Sequence, residues 1–466
     1  MNKINDYFFQ RLVEYIDSDP VRHAKNIIKL FKLLRLFRQQ MNKAEVIFEQ
    51  LENKESNWYG FISNFRNEIN ENARKKIIGN LLLKGLLFPK KQREKLRRQQ
   101  QVPYIVLLDP TSACNLHCLG CWSRDYDTTN SLSYELIDRI IREGNKLLVN
   151  TFIYSGGEPL LRRKDIIRLC REHPDCYFMV FTNGTLINDS FAAEVAQVGN
   201  LAPIISVEGF EEMTDFRRGK GTYGKVVHAM KTLKKYANFY GFSSTYHRLN
   251  TEEIGSNEFL DSMQELGCRF GWFFTYIPVG RDARPELIIT PEQRASMYYR
   301  LREYRKRNPM FLLDFWNDGE FTKGCIAGGK QYLHINARGD IEPCAFIHYS
   351  NANIKDTSLK DALRQPLFEA YRKYQPFNSD HLLPCPCLDN PSMLRKIVHE
   401  SKAVSTHLNG EETVEALTAK CEQHAAGWAL TVNKIRGTTH NKSHVALHKP
   451  LGYRNQKSRR TPEIIK

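Results

Sequence analysis

From residue 102 to about 276, short runs of β-branched and aromatic residues alternate with longer stretches of helical texture. The runs fall at 104–108, 151–154, 177–181, 203–207, 242–246 and 270–276, and the helical stretches near 132–148, 161–172, 188–198, 222–239 and 256–266. Strand–helix alternation of this kind implies parallel strands with covering helices. Six units fall short of the eight that close a full barrel. The expected fold is therefore α/β, an open, partial (β/α)6 TIM-like barrel of parallel strands. Its site belongs at the C-terminal ends of the strands, where the strand-to-helix loops converge.

The flanks have a different texture. Residues 1–101 read as a helical region. Within 25–41, Lys25, Lys29, Lys32, Arg35 and Arg38 share one helical face, and Ile27, Leu30, Phe31, Leu34 and Phe37 share another. A second apolar segment, 77–88, stops at Pro89 and is followed by a basic run, 90–98. Beyond about residue 310 the chain reads as loop-rich, with a hairpin at 331–343 turning near Gly339. The expected division is a basic helical region (1–101), the barrel (102–310), a small loop- and hairpin-rich cluster domain (311–400), a helical extension (401–430) and a polar, basic, disordered tail (431–466).

Charge refines this picture. The chain has 466 residues and a formal net charge of +16. Residues 1–101 carry 21 Lys and Arg against 11 Asp and Glu, and residues 431–466 carry 9 against 1. The middle is close to neutral, which argues against a nucleic acid substrate there and confines any anionic partner to the ends. No run approaches about 18 apolar residues. The first residues lack the basic, apolar and small-residue succession of a secretory signal. A cytoplasmic protein is expected.

Eleven cysteines are many for a reducing compartment, where clustered thiols read as metal ligands rather than disulfides. Cys114, Cys118 and Cys121 come directly after the first predicted strand with spacing C-x3-C-x2-C. Three thiolates can hold three irons of a cubane and leave the fourth open to another ligand, as a catalytic metal site requires. A zinc knuckle is the alternative, and it needs a fourth ligand that His117, wedged beside Cys118, is poorly placed to supply. Cys325, Cys344, Cys385 and Cys387 form a second group. Cys170, Cys176 and Cys268 read as core packing, and Cys421 is unassigned. No paired carboxylates or Ser/His/Asp set stands out.

The first cysteine group and the motifs at the ends of the next three strands together resemble the radical S-adenosylmethionine superfamily. That family places C-x3-C-x2-C just after the first strand of a partial barrel. Gly156-Gly157-Glu158-Pro159 after the second strand matches its GGEP. Thr182-Asn183-Gly184 comes after the third, and Ser206-Val207-Glu208-Gly209 after the fourth is near its S-x-D-G, with Glu where Asp is commoner. Arg218 matches an arginine that meets the methionine carboxylate. The resemblance implies a 4Fe-4S cluster on Cys114, Cys118 and Cys121. It implies S-adenosylmethionine contacts from Gly156, Gly157, Glu158, Thr182, Asn183, Ser206, Glu208 and Arg218. The implied chemistry is reductive cleavage to a 5′-deoxyadenosyl radical that abstracts hydrogen from a substrate. An electron donor such as a flavodoxin or ferredoxin is then needed.

Cys325-x13-Gly339-x4-Cys344 is similar to the start of the SPASM extension, and Pro278-Val279-Gly280-Arg281 also resembles members that carry it. With Cys385 and Cys387 this implies one auxiliary iron–sulfur cluster. Zinc, or thiols without metal, are the alternatives. Two substrate readings stand. If the 25–41 segment lies on an anionic membrane surface, a lipid is expected. Members with the auxiliary domain often modify peptides. A non-catalytic iron–sulfur sensor or binding module is the reading from another class, and it has no need of the four barrel motifs.

Overall fold

A computed structural model describes residues 3–20, 22–23, 26, 52–87, 96, 101–123, 130–280, 282–407 and 412–443. Almost all of the 25–41 segment and the 90–98 run, together with Arg281 and 444–466, lie outside the described residues.

All six expected strands form: β1 (Ile105–Leu108), β2 (Thr151–Tyr154), β3 (Tyr177–Thr182), β4 (Leu201–Ser206), β5 (Gly241–Tyr246) and β6 (Phe270–Thr275). They are almost wholly buried, as strands in a parallel sheet covered on both faces should be. The sheet is longer than the sequence pattern indicates. β7 (Phe311–Asp314) pairs parallel to β6, and β8 (Tyr332–Ile335) pairs parallel to β1. β9 (Ile341–Glu342) returns antiparallel on β8, which makes the hairpin expected near Gly339. The strand order is β7-β6-β5-β4-β3-β2-β1-β8-β9, so β7 and β9 are the two edges of an open sheet.

The helices between strands begin where the sequence supplies caps. Ser133 accepts from the Leu136 amide, Asn188 from Phe191 and Ser256 from Phe259, starting the helices Tyr134–Lys146, Asp189–Val198 and Asn257–Glu265. Among the helices hidden from the pattern are Pro291–Arg307, Pro366–Tyr374 and Pro391–Ser401. Each carries Pro in its first turn, where its missing N–H costs nothing. Read as a loop breaker, that proline conceals a helix start. The last helix, Glu422–Ser443, runs into the stretch expected to be a disordered tail. Trp428, Val432 and Ile435, at helical spacing, bury one face of it against Leu382, Leu383 and Tyr298. Ala429 and an exposed Leu430 fall between Trp428 and Val432 and blur the helical stripe in the sequence.

The described N-terminal helices, Lys3–Ser18, Asn57–Glu68 and Glu71–Lys76, and the π-helix Ile77–Leu87 close the lower mouth of the half-barrel. Val13, Phe65, Ile69, Ile77 and Ile78 share a core with the inward residues Ile153, Met179, Ile204 and Trp272. Asn80 donates to the carbonyls of Pro174 and Cys176, and the Asn70 amide to Ala237, at the entries to β3 and β5. No described helix is long and apolar enough to cross a membrane.

Candidate iron–sulfur and S-adenosylmethionine site

β1 delivers the chain to a loop, 109–123, that carries Cys114, Cys118 and Cys121 as free thiols, the first exposed and the other two half-buried. Its shape is set from three sides. The Leu119 amide donates to the Arg217 carbonyl at 2.8 Å. Gly120 lies against Tyr276, where a Cβ would stand 2.7 Å from the phenol oxygen. From β2, the Gly157 amide donates to the Thr111 carbonyl at 3.0 Å and the Glu158 amide to the Ala113 carbonyl at 2.8 Å. The two glycines are sterically required. Gly156 has φ +104°, and a Cβ on Gly157 would lie 2.1 Å from the Ala113 oxygen. Gly157→Ala is therefore expected to push the two loops apart and weaken S-adenosylmethionine binding by at least about 10-fold, the equivalent of about 1.4 kcal/mol. Equilibrium dialysis on the cluster-loaded protein checks this, and wild-type affinity would show that the loops tolerate the methyl.

Glu158 is buried, and protein donors occupy both carboxylate oxygens. One accepts from the Thr182 hydroxyl at 2.8 Å and the Leu160 amide at 2.9 Å, the other from the Asn183 amide at 2.8 Å. Burial raises its pKa, and those donors oppose the rise. Glu158 thus ties the loop after β2 to the loop after β3 rather than standing free. Asn183 extends the tie. Its side chain donates to Asn115 at 2.8 Å and accepts from Thr185 at 2.7 Å, and Asn115 donates to Thr185 at 2.8 Å. Asn115 and Thr185 were not singled out in the sequence, although Asn115 lies inside the cysteine motif.

Ser206 meets Ser243 at 3.2 Å. Glu208 is fully buried, and one of its oxygens accepts from Arg217 at 2.6 Å and from Arg218 at 2.9 and 2.5 Å. The Thr245 amide takes the other oxygen at 3.0 Å. Burial pushes Glu208 upward, yet the two guanidinium groups bring it below the usual carboxylate range. Burial likewise pushes the Cys118 thiol up, and Arg218 and Arg217 act against that push. Two cations beside a thiol suit a ligand that binds metal as thiolate. Arg217 was missed because its neighbour alone matched a known pattern.

Behind the cysteine loop lies a fully buried ion network. His334 on β8 meets Asp109 at 3.0 Å and Glu342 at 2.7 Å. Burial pulls its imidazole down, and the two carboxylates overcome this and raise it to about 10. Asp109 also accepts from Ser155 at 2.7 Å, beside Gly156. Over the upper end of the half-barrel, the half-buried rings of Trp122, Phe181, Phe274, Phe315 and Phe346 converge. Their neighbouring centroids are 4.7–6.2 Å apart. Trp122 is next to Cys121, Phe181 precedes Thr182, and Phe346 lies two residues past Cys344, so this aromatic wall borders both cysteine groups.

In the second group, the Tyr332 hydroxyl donates to the Cys344 sulfur at 2.8 Å. The Leu388 amide donates to the Cys385 sulfur at 3.3 Å, and the Cys385 amide to Asp389 at 3.0 Å. Arg294 pairs with Asp389 at 2.5 Å and stacks over Trp428 at 4.3 Å, which ties the last helix to this loop. Cys421, unassigned from sequence, stands 4.0 Å from Cys387. Burial pushes Cys344 up to about 12, a barrier that a bound iron would reverse. Among the described residues no three His, Cys, Asp or Glu side chains gather tightly enough for a single metal ion. A cubane bonds each thiolate to a different iron and does not need that convergence. The glycine cradle and adjacent cations at the first group, and the donors aimed at sulfur at the second, fit iron–sulfur clusters.

The radical SAM superfamily model matches residues 108–256, and the SPASM model, an iron–sulfur cluster-binding domain, matches residues 325–389. The AdoMet-dependent heme synthase of Oleidesulfovibrio alaskensis is 23% identical over 307 residues, covering 58% of this chain and 76% of that protein. The mycofactocin maturase MftC of Mycolicibacterium smegmatis is 27% identical over 270 residues, covering 54% and 67%. Crystal structures of Streptococcus suis SuiB share the fold. With S-adenosylmethionine bound, the TM-score is 0.54 at 16% identity over 65% of this chain and 77% of SuiB. With the precursor peptide SuiA bound, it is 0.55 at 18% identity over 72% and 80%.

Proposed function

We propose, from the premise that the chain is a radical S-adenosylmethionine enzyme with an SPASM iron–sulfur domain, that Cys114, Cys118 and Cys121 hold its 4Fe-4S cluster and that the loops around them seat the cofactor. The observation that carries this is the clasp of the cysteine loop by Gly157 and Glu158, closed by the Glu158 bonds to Thr182 and Asn183. When bound, the cluster and S-adenosylmethionine supply one-electron chemistry that yields a carbon radical. The protein's part is placement. Gly156 and Gly157 present backbone to the methionine end. Thr182, Asn183 and Ser206 line the rim. Glu208 holds Arg217 and Arg218 beside Cys118, where Arg218 can take a carboxylate on exchanging its partner. Glu158 organises the loops. Cys325, Cys344, Cys385 and Cys387, with Cys421 alongside, hold the auxiliary cluster. Residues 102–310 form the catalytic unit and 311–400 the auxiliary one. A flavodoxin- or ferredoxin-type carrier supplies the electron.

For the substrate, the aromatic wall between the two cysteine groups favours a flat, conjugated or aromatic group, which ring faces and edges hold without a charge partner. A peptide presenting an aromatic side chain meets that need, and the fold is shared with SuiB, which binds the precursor peptide SuiA. A tetrapyrrole also meets it, supported by the likeness to heme synthases. The lipid reading rests on 25–41, outside the described residues, and gains no support. Anaerobic assay with S-adenosylmethionine and a reductant is expected to release 5′-deoxyadenosine. The rate should rise at least tenfold with iron coproporphyrin or with an aromatic peptide, whichever is the substrate class. Cluster-replete protein that forms none would mark a binding module instead.

A further inference from the structure

The second cysteine group contains a polar group with no partner. Tyr371, on the helix Pro366–Tyr374, is fully buried, and its hydroxyl makes no hydrogen bond. A buried hydroxyl without a partner is destabilising and calls for an explanation. Tyr154, between the sheet and its covering helices, and Tyr177, inside the barrel, also lack one. Tyr371 differs in its surroundings. Its ring packs on Gly328, where a Cβ would stand 2.6 Å from the ring, and Gly328 lies three residues past Cys325. Gln375, one turn further along the chain, donates to the carbonyl of Ala327 at 3.0 Å. Burial first, and then Cys325, Cys344, Cys385 and Cys387, push the phenol away from ionisation. Tyr332, which shares this neighbourhood, already donates to Cys344 at 2.8 Å.

We propose that Tyr332 and Tyr371 are the hydroxyl donors of the auxiliary centre, Tyr332 to the Cys344 sulfur and Tyr371 to a sulfur of the bound cluster, and that together they raise its reduction potential. This rests on the second cysteine group holding iron and sulfide. The reduced cluster carries one more negative charge than the oxidised one. A donor aimed at sulfur therefore stabilises the reduced state more, and hydrogen bonds to sulfur are among the main controls of cluster potential. Burial strengthens the effect, because little solvent screens it. The pair biases the auxiliary centre toward accepting an electron, the direction needed to oxidise a substrate radical after hydrogen has been removed.

The test uses the full-length chain in a Cys118→Ala background, so that the auxiliary cluster is the only redox centre. Tyr332→Phe and Tyr371→Phe each remove one oxygen and keep the ring. Iron, acid-labile sulfide and an anaerobic potentiometric titration followed by electron paramagnetic resonance are measured on each. Each variant is expected to keep the parent's iron and sulfide and to shift its midpoint to more negative potential, the double variant further than either. Tyr154→Phe, which removes an equally buried hydroxyl far from the thiols, should leave the midpoint unmoved. An unchanged midpoint in both single variants would overturn the inference, as would an equal shift in Tyr154→Phe. Loss of auxiliary iron from both would also overturn it, making the hydroxyls a requirement of assembly instead. A parent without iron and sulfide at this group would instead remove the auxiliary-cluster assignment itself.

Discussion

Cys118→Ala is expected to purify as a folded protein that retains auxiliary iron, lacks the barrel cluster and releases no 5′-deoxyadenosine above background. The stability side is set by position. Cys118 lies half-buried on a loop outside the hydrophobic core, so loss of its sulfur opens no large cavity and should cost no more than about 1 kcal/mol. The backbone around it is held by Leu119 on Arg217 and by Gly120 on Tyr276, neither of which involves the thiol. The activity side is set by count. Three thiolates are the minimum that leaves one iron of a cubane open while fixing the other three, and two do not hold it. Iron and sulfide per chain, with chromatographic detection of the nucleoside, check both halves. Turnover at the wild-type rate would refute the assignment of the loop.

The second large effect lies at His334. Replacement by Asn leaves Asp109 and Glu342 buried without their cation, and removing one member of a buried ion group typically costs about 3–5 kcal/mol. The raised imidazole gives the sign with pH. Its folded value is about 10 against an ordinary 6.5, so its stabilisation is complete below pH 6.5 and is lost as the pH rises through about 10. The gap in apparent melting temperature between wild type and His334→Asn should therefore be widest below pH 6.5 and narrow steadily toward pH 10. Taking the difference between two proteins cancels the titration of the cysteines and tyrosines they share. A gap that stays constant from pH 6 to pH 10 would show that His334 is neutral in the folded protein.

These two residues also mark where the sequence was legible and where it was not. The three thiols were legible as a group because spacing alone puts them on one loop after the first strand, where the structure has them. The first six strands were legible because each is a dense apolar run set between helical stretches, and for Thr151–Tyr154 the expected and observed bounds coincide. β7 was not, because Phe311–Asp314 is short and comes after the helix Pro291–Arg307, whose exposed face is crowded with charge. His334 could not be read at all. Its partner Asp109 is 225 residues away, and the two meet only because β8 enters the sheet beside β1. Glu208 meets Arg217 and Arg218 only 9 and 10 residues along the chain, and was misread for another reason. A resemblance assigned Glu208 and Arg218 to a ligand, whereas in the folded chain they first answer one another, with Arg217 on the same carboxylate. Pairings set by strand neighbourhood carry no local signature, while residues needed for their own chemistry do.

The helices that stopper the underside of the half-barrel make it a blind well. With Phe65, Ile69 and Ile77 seated beneath Met179 and Trp272, the described residues fill the floor. A molecule that enters to react must leave past the same rim of cysteine loops and aromatic rings. Spent nucleoside and altered substrate therefore share one doorway, and the order in which they depart determines when the next cycle can begin.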